Sequence, residues 1–266
     1  MSAILTPSIA PMHRIPRLRA PIVLVHGLLG FDSLRVGPWV VAHYFQGIPQ
    51  ALRAAGNRVL VASLSPTRGI ADRARQLKEM LDRQSPREPV HLIAHSMGGL
   101  DSRYFISRLG MARRVLTLTT LGTPHRGTTF ADWGIRRLQR MLRPLFDFAN
   151  VPYQAFFDLT VAHCTAFNRQ TPDAAEVRYF SVAGDFAANW WMPEWQLPAR
   201  ILARTEGPSD GVVSVASAVW GEDCTIWDGD HLNLINWKHS WTPARRQKDR
   251  TTYYAALLRR LEDEGY

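Results

Sequence analysis

The chain has 266 residues, 46% of them hydrophobic and 21% charged, and 32 basic against 23 acidic side chains give it a formal charge of +9. That composition excludes a disordered chain, and no apolar run approaches the roughly 18 residues a membrane span needs. The basic residues are spread over Arg14–Arg19, Arg136–Arg143 and Arg245–Arg250 with no nucleic-acid reading motif around them; this leaves a solvated basic surface or attraction to anionic interfaces, and no nucleic-acid partner.

Residues 1 to 20 are rich in proline and arginine and read as a leader laid along the surface. They hold no continuous apolar stretch before a small-residue cleavage site, so a secretion signal is either lacking or already lost. Secretion, periplasm and cytoplasm all stay open. Pro21-Ile22-Val23-Leu24-Val25 is a short apolar run closed by His26-Gly27 and reads as a buried strand. Phe45 to Ala54 has helical spacing through Phe45, Ile48, Leu52 and Ala55, with Gly56 as its stop. Arg58 to Leu64 reads as a second strand, and Ile70 to Leu81 as a helix through Ile70, Ala74, Leu77 and Leu81. Val90 to Ala94 and Val115 to Leu121 give two more strands, Arg178 to Ala183 another, and Cys224 to Trp227 a short last one. Thr251 to Leu261 closes the chain as a helix with Tyr254, Leu257, Leu258 and Leu261 in its apolar stripe.

Short apolar strands alternating with helices predict an α/β fold: a mostly parallel sheet covered on both faces. The length alone allows two domains at roughly 150 residues each, but one α/β core of this size is common. A single domain over 1–266 is expected. Between Thr128 and Pro172 the rhythm breaks into mixed aromatic and basic residues, and residues 129–172 read as a helical insertion within that domain. A second aromatic patch at Asn189 to Ile201 carries Trp190, Trp191 and Trp195, which are expected to line or cover a cleft. Cys164 and Cys224 are too few for a disulfide framework and form either one bridge or, the favoured reading, two buried thiols.

Ser96 carries the chemistry. It sits in His91-Leu92-Ile93-Ala94-His95-Ser96-Met97-Gly98-Gly99-Leu100, directly after a predicted strand and before a helical segment, the context a nucleophile elbow requires. The strained turn needs small residues two before and two after the serine, here Ala94 and Gly98. The usual pattern has glycine in the first place, so Ala94 departs from it by one methyl. Attack on a carbonyl also needs donors for the developing oxyanion. The backbone N–H of Leu28, in His26-Gly27-Leu28-Leu29-Gly30, and that of Met97 are the candidates. A phosphate loop is the rival reading of His26 to Gly30, and it fails because no lysine–serine/threonine pair follows the glycines.

Base and orienting acid follow the serine in this class of sheet. His231, in Asp228-Gly229-Asp230-His231, lies after the last predicted strand and is the best base. Asp210 stands in a turn signal 21 residues earlier, with Asp228 and Asp230 as rivals. His95 is nearer in sequence but leaves the elbow in another direction, and His125 reads as a structural loop histidine.

These pieces carry a resemblance. Ile22 to Gly30, Ala94 to Tyr104, Gly122-Thr123-Pro124-His125-Arg126-Gly127 with Ala131-Asp132, Asp210-Gly211-Val212-Val213 and His231-Leu232 together resemble the bacterial true lipases of the α/β-hydrolase fold. The likeness runs from about Pro21 to Asn236 and is thin between Thr128 and Pro208. It implies a carboxylic-ester hydrolase with Ser96, Asp210 and His231 as the triad and a mobile lid falling on the stretch after Ala131. It also implies a calcium ion near the catalytic histidine, but the positions that would ligate it are Asn233 and Trp237 here, which argues against the ion. No cofactor is expected. No histidine and aspartate cluster suits the zinc site of related thermophilic lipases, since His43, His91, His163 and His239 are isolated.

The expected substrate is a small or polymeric ester with an apolar acyl part, met in solution or at a lipid–water interface. Alternatives are a short-chain esterase, a polyester or polyhydroxyalkanoate depolymerase, a phospholipase, and a catalytically silent binding protein on the same fold. Trp133 to Arg143 predicts an amphipathic helix ended by Pro144, with Leu138, Met141 and Leu142 opposed to Arg136, Arg137, Arg140 and Arg143. Such a helix is either a fixed cover or a hinged one; the aromatic residues continuing through Phe146, Phe148, Phe156 and Phe157 favour the hinge.

Overall fold

The computed structural model describes residues 3–5, 14–28, 33–36, 39–141, 154–188, 192–238 and 248–266; for 3–5, 33–36, 39–43, 138–141 and 194 it describes the main chain. The buried run Ile22–Val25 (β2) is the hinge of the architecture. It pairs in parallel with Val59–Val61 (β5) on one side and with Val90–His95 (β6) on the other. Beyond β6 follow Val115–Leu121 (β7), Arg178–Asp185 (β8) and Asp223–Asp228 (β9), again all parallel. Ala3–Leu5 (β1) pairs with β9, so among the described residues the sheet has seven strands in the order β1-β9-β8-β7-β6-β2-β5. The start of the chain therefore adds a sheet edge where a surface leader was expected. Three residues are too few for any periodicity to register. A separate antiparallel pair, Ser33–Val36 (β3) and Trp39–His43 (β4), also went unforeseen for its shortness.

Alternating strand residues feed two cores, as the two-residue period of a strand requires. Ile22 and Leu24 face the helices Ile48–Ala54 (α1) and Thr251–Asp263 (α9), packing with Phe45, Leu52, Tyr254 and Leu258. Val23 and Val25 face Ile70–Gln84 (α2) and Met97–Ser107 (α3), packing with Leu77, Leu81 and Phe105. Both faces are thus covered, and the nearly continuous apolar strands follow from that.

The chain runs from β2 outward to β5, returns through α2 to β6 on the other side of β2, and then proceeds away to β9. Strand order reverses between β2 and β6. A crevice opens at the strand carboxyl ends at such a switch point. Between β7 and β8 lie Thr129–Met141 (α4), Gln154–Phe157 (α5) and Val161–Gln170 (α6); between β8 and β9 lie Pro193–Thr205 (α7) and Val215–Ala218 (α8). Helix α4 packs on α5 and α7. The expected amphipathic helix is therefore present to Met141, while Leu142, Arg143 and Pro144 lie outside the described residues, as do the side chains of Leu138, Arg140 and Met141. Cys164 in α6 and Cys224 in β9 are both buried and free.

Candidate active site

Ser96 lies between β6 and α3 with φ 56° and ψ −130°, a backbone conformation that a serine occupies only under constraint. The constraint comes from neighbours on every side. The Ser96 N–H donates to Leu121 O at 2.8 Å, and Thr123 Oγ1 donates to Ser96 O at 2.7 Å. Gly27, just past β2, lies so close that a Cβ there would stand 2.6 Å from the Ser96 Cβ. Only a glycine lets the turn at the end of β2 approach the elbow this far. Leu28 follows it and lines the cavity onto which Ser96 opens. Met97 is the first residue of α3, where the leading amides of a helix find no partner within it.

His231 and Asp210 meet at the ends of β7 and β8. The His231 Nδ1–H faces Asp210 Oδ2 at 2.6 Å, and the His231 N–H donates to Asp210 O at 2.8 Å. The other carboxylate oxygen, Oδ1, accepts from the N–H groups of Val212 (3.0 Å) and Val213 (2.8 Å), so the turn itself aims the carboxylate. Gly122 has φ 55°, and a Cβ on it would lie 2.7 Å from Asp210 Oδ2 and 3.1 Å from His231 Nδ1. The rival carboxylates are engaged elsewhere. Asp228 holds Lys248, Arg250 and Tyr253, and Asp230 Oδ1 accepts from the N–H groups of Leu232 and Asn233. With Nδ1 protonated towards Asp210, Nε2 of His231 is the basic nitrogen.

Ser96 and His231 share one cavity of about 560 Å³. Its walls are mostly apolar, with Leu232, Ile235 and Trp237 from the histidine loop, Val212 and Val213 from the acid turn, and Phe130, Trp133, Ile135 and Phe156 from α4 and α5. Such a space suits an acyl chain better than a polar ligand. Arg136 and Arg137 on α4 are exposed. Of the tryptophans expected at the cleft, Trp190 and Trp191 lie outside the described residues. Trp195 does not line the cavity: it is buried, and its ring backs the acid turn at Gly211. Its place in the first turn of α7 leaves it under the acid turn, on the face away from the exposed Leu197 and Arg200.

Four residues here were not read as site residues in the sequence: Tyr44, His95, Arg73 and His125. Tyr44 Oη accepts the Gly27 N–H at 3.1 Å and lies 2.7 Å from His95 Nδ1, while His95 Nε2 lies 2.9 Å from His231 O. Burial holds His95 well below the usual histidine pKa. Arg73, buried in α2, donates to His26 O at 2.6 Å, to Ser65 O at 2.6 Å and to Asp101 Oδ2 at 2.8 Å. The signal for Arg73 was available: it stands three after Ile70 and four before Leu77, inside the apolar stripe, where a solvated arginine has no place. His125 is buried against Trp220, with ring centroids 4.9 Å apart, and Thr120 Oγ1 lies 3.0 Å from its Nε2.

The residues that a calcium ion would need do not fit one. Asn233 spends its amide on the Trp237 carbonyl at 2.9 Å and its Oδ1 on the Asp230 N–H at 3.3 Å, and the Trp237 indole donates to Tyr44 O at 2.6 Å. Among the described residues no group of three metal-ligating side chains occurs.

The comparisons with known proteins agree on the family and the fold. A PGAP1-like alpha/beta domain model matches residues 67–227. Triacylglycerol lipase 2 of Saccharomyces cerevisiae is 31% identical over 82% of this chain and 81% of its own length, and triacylglycerol lipase of Pseudomonas fragi is 38% identical over 93% and 97%. The mature lipase of Bacillus licheniformis superposes with a TM-score of 0.66 at 24% identity, over 86% of this chain and 90% of that one, and shares the fold. With strand order, domain model and two relatives matched along most of their lengths in agreement, the chain belongs to the lipase-like α/β-hydrolases.

Proposed function

We propose that the protein hydrolyses carboxylic esters with apolar acyl chains, acylglycerols among them, through an acyl-enzyme on Ser96. One observation carries the reading: a strained serine and a histidine bonded to a buried carboxylate open on the same apolar cavity. His231 Nε2 takes the proton as Ser96 Oγ attacks the ester carbonyl, and Asp210 holds the imidazole in the required tautomer and stabilises its positive charge. The N–H groups of Leu28 and Met97 receive the oxyanion. His231 then protonates the leaving alcohol, and water, activated by the same nitrogen, releases the acid. The reaction so written requires no cofactor.

Helix α4 serves in this reading as the lid within the insertion 129–172. Phe130, Trp133 and Ile135 lie against the cavity while Arg136 and Arg137 face solvent, an arrangement that supports a cover able to turn its apolar face to a lipid–water interface. A hinged cover gives a steep rise in rate once a short-chain ester passes its solubility limit; smooth saturation through that limit identifies a fixed cover.

The decisive test is Ser96→Ala. Turnover of dissolved ester should fall by at least about a thousandfold with the fold retained, because the change removes one oxygen. More than about a hundredth of the wild-type rate remaining defeats the assignment. Triacylglycerol emulsion, dissolved short ester, phospholipid and polyester film, assayed side by side, then divide lipase from esterase, phospholipase and depolymerase.

A further inference from the structure

Three loops must hold still relative to one another for the proposed chemistry: the turn carrying Leu28, the elbow carrying Ser96 and the loop carrying His231. They come from three different strands, β2, β6 and β9. One chain of buried polar atoms touches all three, and it ends on main-chain groups rather than on a reacting atom.

The direction of each bond in that chain is determined. His95 Nε2 faces the His231 carbonyl oxygen at 2.9 Å. A carbonyl only accepts, so Nε2 carries the hydrogen. Burial keeps the His95 ring neutral, which leaves Nδ1 as an acceptor. At 2.7 Å from Nδ1, the Tyr44 hydroxyl must therefore donate, and its oxygen takes the Gly27 N–H at 3.1 Å. Burial also raises the Tyr44 phenol far above its ordinary range, so it keeps that proton. The His95 ring lies against the His231 ring with centroids 4.4 Å apart, close enough that a charge on one would oppose a charge on the other. A neutral His95 lets His231 alone become the imidazolium.

We propose that Tyr44 and His95 are positioning residues that brace the oxyanion turn, the nucleophile elbow and the base loop into one unit, by way of Gly27 N–H, Tyr44 O–H, His95 Nε2–H and His231 O. The proposal rests on the ester-hydrolase reading above. Its consequence is that the brace acts on the transition state more than on substrate binding. Loosening it displaces the Leu28 donor and the His231 base by tenths of an ångström, which a bound ester tolerates and a developing oxyanion does not.

Tyr44→Phe removes only the hydroxyl, and His95→Gln keeps an amide donor near His231 O while losing the acceptor for Tyr44. With a dissolved short ester, each variant should lose about 10- to 100-fold in kcat with KM within about twofold of wild type, in line with a buried hydrogen-bonded partner left unsatisfied. A boronate that mimics the tetrahedral intermediate should weaken by the same factor. The double variant should fall no more than about threefold below the worse single one, because both changes break the same chain. Thermal unfolding and gel filtration fix the folded concentration to which each rate is referred. If His95→Gln does not fold, the kcat-against-KM split and the boronate affinity of Tyr44→Phe decide alone. Tyr44 also lines the cavity, so unchanged kcat per folded molecule overturns the proposal, and so does a rise in KM at constant kcat, which would make its part in the cavity wall the whole of its contribution. Multiplying losses in the double variant overturn it as well. The parent reading fails separately, if the wild type shows no ester turnover that Ser96→Ala removes.

Discussion

The strand-end platform and the α4 cover meet across the same cavity, yet they are built by opposite means. On the platform, polar atoms are tied across long stretches of chain: Tyr44 to His95, His95 to the His231 carbonyl, Arg73 to His26 O and Asp101, and His231 to Asp210. The cover is pinned near its start, where the Thr129 N–H meets Glu206 Oε1 at 2.7 Å and Thr128 Oγ1 donates to Val212 O at 2.7 Å. From Phe130 to Ile135 it touches the cavity through apolar side chains. Directional bonds fix geometry, and apolar contact merely favours closure. On the proposed reading, precision falls where charge moves and adaptability where the acyl chain is received.

The largest predicted effect tests the platform. Asp210→Asn preserves size and the turn while removing the charge that holds His231 in its tautomer. A loss of about 10³- to 10⁴-fold in kcat is expected with KM nearly unchanged, measured on a dissolved ester. A loss under tenfold would mean that another group orients the histidine.

Next comes Gly27→Ala. A methyl placed 2.6 Å from the Ser96 Cβ and 3.0 Å from Tyr44 Oη forces the oxyanion turn and the elbow apart. Rates should drop by about a hundredfold, and denaturant unfolding should record a loss of about 1–3 kcal/mol, the usual result of overpacking. If both quantities match the wild type, the close approach is not essential.

How far the sequence revealed these two regions follows from the range of their interactions. Strands β2 and β6 to β9 were legible because burial on both faces writes them as apolar runs, and β7 matches residue for residue. Ser96 was legible because the elbow is local: strand, small residues and helix lie within a dozen positions. Asp210 and His231 each left a local mark, a turn and a post-strand loop, and the family resemblance tied them together. Tyr44 left none. It is 51 residues from His95, and a tyrosine before Phe45 reads as core. The strands β1, β3 and β4 escaped for a similar reason, since edge and hairpin pairs of three to five residues make too little pattern to register.

The buried histidines of the sheet and its loops carry a pH cost that the cover does not share. Burial lowers His91, on β6, to about 4, and it also holds His95 and His125 well below the ordinary value. Each is neutral when folded and takes up a proton near pH 6.5 once unfolded. The unfolded chain therefore binds more protons as the pH falls, and stability is present above about pH 6.5 and lost as pH drops towards 4. His91→Asn keeps a partner for Thr117 Oγ1, 2.9 Å from His91 Nδ1, but removes one of these groups. Between pH 6.5 and 4 its stability should fall less steeply than the wild type's, by up to about 3 kcal/mol across the window, as read by urea unfolding. Parallel curves for the two proteins would show that His91 does not titrate on unfolding.

The smallest effect belongs to the cover. Gly134 lies inside α4 and lines the cavity, and a Cβ built on it meets nothing within 4 Å among the described residues. Alanine in a helix interior is favoured over glycine by about 0.8–1 kcal/mol, chiefly because glycine surrenders more backbone freedom on folding. Gly134→Ala should therefore raise the unfolding temperature by a degree or two, whereas the same added methyl at Gly27 lowers it. On dissolved short ester, kcat/KM should stay within about twofold of wild type, since no group that handles the proton or the oxyanion has been touched. The informative measurement is the rate on emulsified ester. A hinged cover that bends at Gly134 would be stiffened by the alanine, and the rise in rate at the solubility limit would shrink while the rate below it held. An unchanged rise removes Gly134 as the hinge and places any movement of α4 outside Gly134, at its start near Thr128 and Thr129, which hold the chain to the body of the protein, or beyond Met141.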